Sequence, residues 1–130
     1  MRPDTKNWLE SAAYDLETAR HMLSSGRYIY VIFLCHLTLE KMLKALVSEV
    51  RDKAAPKSHD LIYLTKQAGV NLETGYYEFI SKLNSVSIPT RYPSDMQKIV
   101  SQYSKQVAES YLRQTEEVVQ WLNSHPKLNE

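Results

Sequence analysis

The chain has 130 residues, the size of one ordinary domain, and carries 16 Lys and Arg against 15 Asp and Glu, a formal charge of +1. That balance holds in both halves of the chain and argues against bulk electrostatic capture of nucleic acid or of an anionic membrane. Three glycines rule out a Gly-rich phosphate loop or a chain of hairpins, and one cysteine rules out an internal disulfide framework or a zinc site built on several thiolates.

Hydrophobic spacing reads as helices joined by short breaks. The first runs from about Thr5 to Ser24, with Trp8, Ala12, Leu16, Ala19 and Leu23 at steps of three and four; Asp4 or Thr5 is placed to cap it, and Ser24-Ser25-Gly26 stops it. The second runs from about Arg27 to Asp52, and its first half is apolar on nearly every side, as in the central helix of a bundle or one facing a partner chain. A shorter helix spans about Ser58 to Ala68 with Gly69 just past its end, and a fourth spans about Leu72 to Val86. Pro89 and Pro93 argue against one continuous helix through the segment that follows. The last helix runs from about Gln102 to Asn123 with a clean stripe from Val107 to Leu122, and Pro126 ends it. No sustained polar/apolar alternation competes as a strand. The expected fold is all-α, an up-and-down antiparallel bundle of four to five helices forming one domain over residues 1–130.

The longest apolar stretch, Ile29 to Leu39, is broken by His36 and Thr38 and falls well short of the roughly 20 residues that span a bilayer. No signal-peptide core follows Met1 to Lys6. The expectation is a cytoplasmic protein without a membrane segment. Glu40/Lys44, Glu49/Lys53, Glu78/Lys82 and Glu109/Arg113 each place an acid four residues before a base, which reads as solvated helix surface.

Four features could carry chemistry. His36 and Glu40 share a helix face, yet two ligands do not make a metal site, and the apolar surroundings of His36 favour a packed, hydrogen-bonded histidine. Ser58-His59-Asp60 opens a helix, where capping of free amides is the favoured role, although a His beside an Asp also looks catalytic. Cys35 lies mid-helix in an apolar run and reads as a small core residue. Arg91-Tyr92-Pro93-Ser94-Asp95 is a Pro-stiffened connection that displays a phosphate-matching guanidinium, a ring that can stack on a base, and an acid.

Ala12-Ala13-Tyr14-Asp15-Leu16-Glu17-Thr18-Ala19 is similar to A-x-x-D-L-x-x-A, and Phe33 to Ala45 to F-x-x-H-x-x-x-E-K-x-x-K-A. Ser58-His59-Asp60-Leu61 and Arg91-Tyr92-Pro93 follow in order. Together, over about residues 8 to 122, these segments resemble the HEPN family (higher eukaryotes and prokaryotes nucleotide-binding domain). The resemblance implies a dimeric helical bundle that pairs with a small nucleotidyltransferase in toxin–antitoxin-like modules. Active members of the family cleave RNA without metal through R-x(4–6)-H. Here the positions that motif reserves for histidine after Arg91 are Met96, Gln97 and Lys98, none of which can replace its acid/base role near neutral pH. Some toxin members follow the motif with a tyrosine that the partner modifies; Tyr103 is too distant from Arg91 to match.

The expectation is therefore a non-catalytic nucleotide- or RNA-binding or accessory subunit, a homodimer partnering a nucleotidyltransferase, with no cofactor and no metal. Its candidate binding residues are Arg91, Tyr92, Asp95, Lys41, Lys44 and His59. The alternative is a metal-independent ribonuclease with an atypical site, in which His59 or His36 replaces the missing base.

Overall fold

The computed structural model describes residues 1–129, the side chain of Arg91 excepted. The elements in chain order are α1 (Pro3–Ser24), α2 (Tyr28–Arg51), α3 (Leu61–Ala68), α4 (Thr74–Arg91), α5 (Met96–Gln102) and α6 (Lys105–Asn123), then a 3₁₀ turn at Pro126–Leu128. Among the described residues there is no strand, and the architecture is a helical bundle. Its centre is α2, which packs against α1, α3, α4 and α6. Leu39, Leu43 and Leu46 of α2 are fully buried, and they meet Leu61 and Leu64 of α3, Ile80 and Leu83 of α4, and Val118 and Leu122 of α6 in one apolar cluster. The all-round apolarity of the first half of α2 thus reflects cover from several helices. Two buried hydroxyls, Thr5 Oγ1 and Ser48 Oγ, lie 2.7 Å apart and join α1 to α2 inside this core.

The turns follow local chemistry. Gly26 holds φ +79° in the sharp reversal between α1 and α2, where a side chain would be strained. Asp60 caps α3, its carboxylate accepting from the amides of Ile62 and Tyr63. Ser104 caps α6 by accepting from the amide of Val107.

Three local expectations need correction. Neither Asp4 nor Thr5 caps α1: the helix starts at Pro3, whose ring suits the first helical position, and Arg2 occupies the cap without a side-chain bond. Asp4 instead accepts from the Arg2 guanidinium at 2.8 and 3.1 Å. The fourth helix does not stop near Val86 but runs through Pro89 to Arg91. Hydroxyls on that turn take up carbonyls around the proline, with Thr90 Oγ1 donating to Val86 and Ser87 and Ser87 Oγ donating to Asn84. The backbone breaks only before Pro93. The third correction is α5, a helix of 7 residues that buries none of them and so leaves no apolar stripe in the sequence.

Candidate functional site

The site is best built outward from Glu40. Its position on α2 is enclosed, and only 3% of the residue reaches solvent. A buried carboxylate has to be paired. Lys44, one turn on and itself 6% exposed, places Nζ 3.0 Å from Oε2. The same ammonium lies 5.3 Å from the centroid of the Trp8 ring, a cation–π contact that brings α1 into the cluster. The other carboxylate oxygen, Oε1, meets His59 Nδ1 at 3.0 Å and lies 3.9 Å from His36 Nδ1. This pair is thus an internal ionic network, and the reading of Glu40/Lys44 as solvated surface is corrected.

His59 reaches Glu40 because its segment is tied down on both sides. Ser58 Oγ accepts from the Asp60 amide at 3.1 Å. Asp60 Oδ1 accepts from the amides of Ile62 and Tyr63 and from Asn84 Nδ2 at 3.1 Å. Asn84 Oδ1 in turn accepts from the Leu61 amide at 3.0 Å. The α3 cap is therefore clamped to α4, and His59 is held over α2 with 71% of its side chain exposed. An ionised carboxylate only accepts, so against it Nδ1 is the donating nitrogen of the ring.

These groups line a cleft of about 450 Å³ with His36, His59, Asp60, Asn84, Ser87, Ile88 and Tyr92 around it. Tyr92, just past the end of α4, is 73% exposed at this cleft. The remaining candidates fall elsewhere. Lys41 Nζ is held by Asp15 Oδ2 at 2.6 Å and by Ser11 Oγ at 2.7 Å, stitching α2 to α1. Lys44 is committed to Glu40 and Trp8, and Asp95 caps α5 by accepting from the Lys98 amide at 3.2 Å. The structure therefore brings His59 and Tyr92 to the cleft and leaves Lys41, Lys44 and Asp95 off its lining. The Arg91 side chain lies outside the described residues.

Sequence reasoning missed Asn84 and Ser87, because a single polar residue on a helix carries no signal of the loop it will meet. Among the described residues no group of three or more His, Cys, Asp and Glu could hold a metal ion. Burial pushes the Cys35 thiol up to about 12, with Thr115 alongside, which makes it inert at neutral pH. Burial likewise raises the phenol of Tyr111 to about 12. No helix among the described residues is long and apolar enough to cross a membrane.

The internal pairs Asp15–Lys41 and Glu40–Lys44, and the Asp60 cap, fall on the sequence segments singled out above. The model of the HEPN domain matches residues 5–125. The chain belongs to the HEPN domain family. Two solved structures share its fold. TT1696, a protein from Thermus thermophilus, superposes with a TM-score of 0.79 at 22% identity, covering 94% of this chain and 98% of that one. ST0689, an archaeal HEPN homologue, gives 0.75 at 22% identity, covering 95% and 97%. Comparison with curated proteins finds no match. The departure from R-x(4–6)-H is thus a property of a genuine HEPN domain, and the residues at Met96, Gln97 and Lys98 open the short helix α5.

Proposed function

We propose that this HEPN domain is a non-catalytic nucleotide- or RNA-binding accessory subunit, a cytoplasmic homodimer that works beside a small nucleotidyltransferase in a toxin–antitoxin-like module. The observation that carries the binding part is the cleft between the α3 cap and the end of α4, with an exposed ring at Tyr92 and hydrogen-bonding side chains at His59, Asn84 and Ser87. An exposed aromatic face stacks on any base, and base–aromatic stacking is worth about 1–3 kcal/mol. Arg91 directly precedes Tyr92 and supplies a permanent charge in that segment. Lys41 and Lys44 do not enter this reading, because each already holds an internal carboxylate.

Calorimetric titration with short single-stranded RNA and with mononucleotides tests the proposal, with Tyr92→Ala as the variant. Binding that weakens at least fivefold in the variant supports the reading, and native protein that binds neither probe refutes it. Copurification of the chain with its natural operon product tests the partner. A chain that stays alone with its neighbour present counts against the accessory role.

One observation favours a second reading, a metal-independent ribonuclease. A histidine oriented by a buried carboxylate, with its other nitrogen available, has the arrangement of a general base. In this reading His59 Nε2 takes the proton of a ribose 2′-hydroxyl as its oxygen bonds to the neighbouring phosphorus, the P–O5′ bond breaks, and the 5′-oxygen leaves with a proton from water, giving a 2′,3′-cyclic phosphate. RNA cleavage in the presence of chelator that disappears in His59→Gln would support it. Cleavage unchanged in that variant would point to a contaminant.

A further inference from the structure

Two stretches that meet at one end of the bundle carry no Asp or Glu: residues 18–39, across the turn from α1 into α2, and residues 96–108, from α5 into α6. Their Lys and Arg residues are Arg20, Arg27, Lys98 and Lys105, in a chain that is otherwise balanced. Arg20 and Lys105 have acidic partners within the bundle, whereas Arg27 and Lys98 form no ion pair among the described residues. Between the two stretches lies a socket of about 90 Å³, bounded by residues 26–30 and by Met96, Val100 and Tyr103. Its rim is apolar and open: Tyr30 is 43% exposed, Met96 48% and Val100 51%. We propose that this end of the bundle docks an amphipathic helix of a partner protein, which seats one aliphatic side chain in the socket and sets acidic residues against Arg27 and Lys98. The inference rests on the accessory reading given above and adds to it the surface and the chemistry of the segment recognised.

Size decides against a metabolite or a base. A small molecule usually takes a pocket of about 300–1,000 Å³, and a cavity of about 150 Å³ is what admits a benzene ring. The socket is smaller than either, room for a branched aliphatic group and not for a nucleobase. Tyr30, Met96 and Val100 around it supply the apolar surface on which a helix lays anchors one turn apart. Charge then selects among proteins. A second copy of this chain would use the same patch twice and bring Arg27 and Lys98 against themselves. Like charges facing each other across an interface suppress such a pairing. Asp95, the acid that precedes α5, is engaged by the Lys98 amide at 3.2 Å. A partner with Glu or Asp beside its apolar anchor meets both requirements, and Arg27 offers the carboxylate a fork of donors. The docked helix also supports α5. Its 7 residues bury none of their number in the bundle, and a helix so short is marginal without packing. The partner covers Met96 and Val100 on the face that the bundle leaves open.

Two synthetic peptides of about 16 residues, long enough to be helical, are the probes. Both carry leucines along one face; in one the flanking positions are Glu, in the other Lys. Each is titrated into the isotope-labelled full chain at low ionic strength and followed by NMR. The Glu-flanked peptide should bind about tenfold or more tightly than the Lys-flanked one and should shift the amide signals of Tyr30, Met96 and Val100. Val100→Asp should weaken its binding about tenfold or more, by spoiling the apolar seat. Arg27→Glu should weaken it about fivefold or more and strengthen the Lys-flanked peptide. Both positions lie at the surface, and the circular dichroism of each variant should match the native chain. Equal binding of the two peptides, no binding of either at millimolar concentration, or shifts confined to other residues overturns the assignment. A native dimer that Val100→Asp turns into a monomer in sedimentation also overturns it and gives the face to a second copy. Hexauridylate that shifts the same amides overturns it in favour of RNA. Copurification of the natural operon product that persists in both variants overturns this surface and leaves the accessory reading intact. A native chain that stays alone beside that product overturns the accessory reading, and the peptides then decide the surface by themselves.

Discussion

Replacing Lys44 by methionine tests whether Glu40/Lys44 is an internal pair. Methionine keeps the unbranched stem, so little packing is lost and the substitution removes the charge. At 3.0 Å the attraction between unit charges amounts to about 5 kcal/mol with an effective dielectric constant near 20. Breaking one side of a buried pair costs about 3–5 kcal/mol, because the other charge is left without its partner. A ceiling on that cost comes from the carboxylate itself, which can take up a proton when abandoned. Neutralising an ordinary glutamate at pH 7.5 costs about 4 kcal/mol, at 1.36 kcal/mol per pH unit. The expected loss for Lys44→Met is therefore about 3–4 kcal/mol at pH 7.5. Urea unfolding followed by far-ultraviolet circular dichroism at pH 7.5 measures this. The double variant Glu40→Leu/Lys44→Met removes both charges and should recover most of the loss at pH 7.5. A loss for Lys44→Met under about 1 kcal/mol at pH 7.5, or a double variant no more stable than Lys44→Met alone, would refute the buried-pair account.

Leu43→Ala, at a fully buried position in the centre of α2, should cost about 2–5 kcal/mol in the same unfolding assay, mainly through the cavity it leaves. Asp60→Ala removes the α3 cap and the acceptor for Asn84 together, and should cost about 1–2 kcal/mol while disordering the His59 ring signal in NMR. Cys35 and Tyr111 are both raised to about 12 by burial, so the unfolded chain gives up these protons first. Their contribution to stability is present at neutral pH and is lost as pH rises from about 9 toward 12, which a series of thermal melts should record as a falling Tm. The Cys35 thiol should resist a disulfide reagent at pH 8 in the folded chain and react at once in denaturant.

How much of this was legible in the sequence depends on the range over which each feature is determined. The helices α1, α2 and α6 bury long periodic stripes, and spacing alone locates them to within a few residues. The α5 segment buries nothing, so the feature that marks a helix in sequence is missing there. Pro89 argues correctly that a backbone bond is lost, but the helix runs on past it to Arg91, and the bonds of Ser87 and Thr90 to nearby carbonyls exist only once that turn has formed. Capping by Asp60 is local and was readable. Its bond to Asn84, 24 positions away, was not, and neither was that from Glu40 to His59, 19 positions away.

The motif residues show why a family pattern and a binding site are different things. Asp15 and Lys41 join α1 to α2, Glu40 and Lys44 neutralise each other inside the bundle, and Asp60 starts α3. These positions hold the fold together, so their presence identifies the family without specifying an activity. The residues that face the cleft overlap with the motif only in part: of the described motif positions, His36, His59, Asp60 and Tyr92 line it. His59 is bonded to the internal carboxylate at one nitrogen while most of its side chain stays exposed. A change in Glu40 or Lys44 therefore meets the cleft through His59, at 3.0 Å from the carboxylate, and through His36, at 3.9 Å from the same oxygen. For this reason His59→Gln and Lys44→Met should separate cleanly: the first alters binding at nearly unchanged stability, and the second alters stability first.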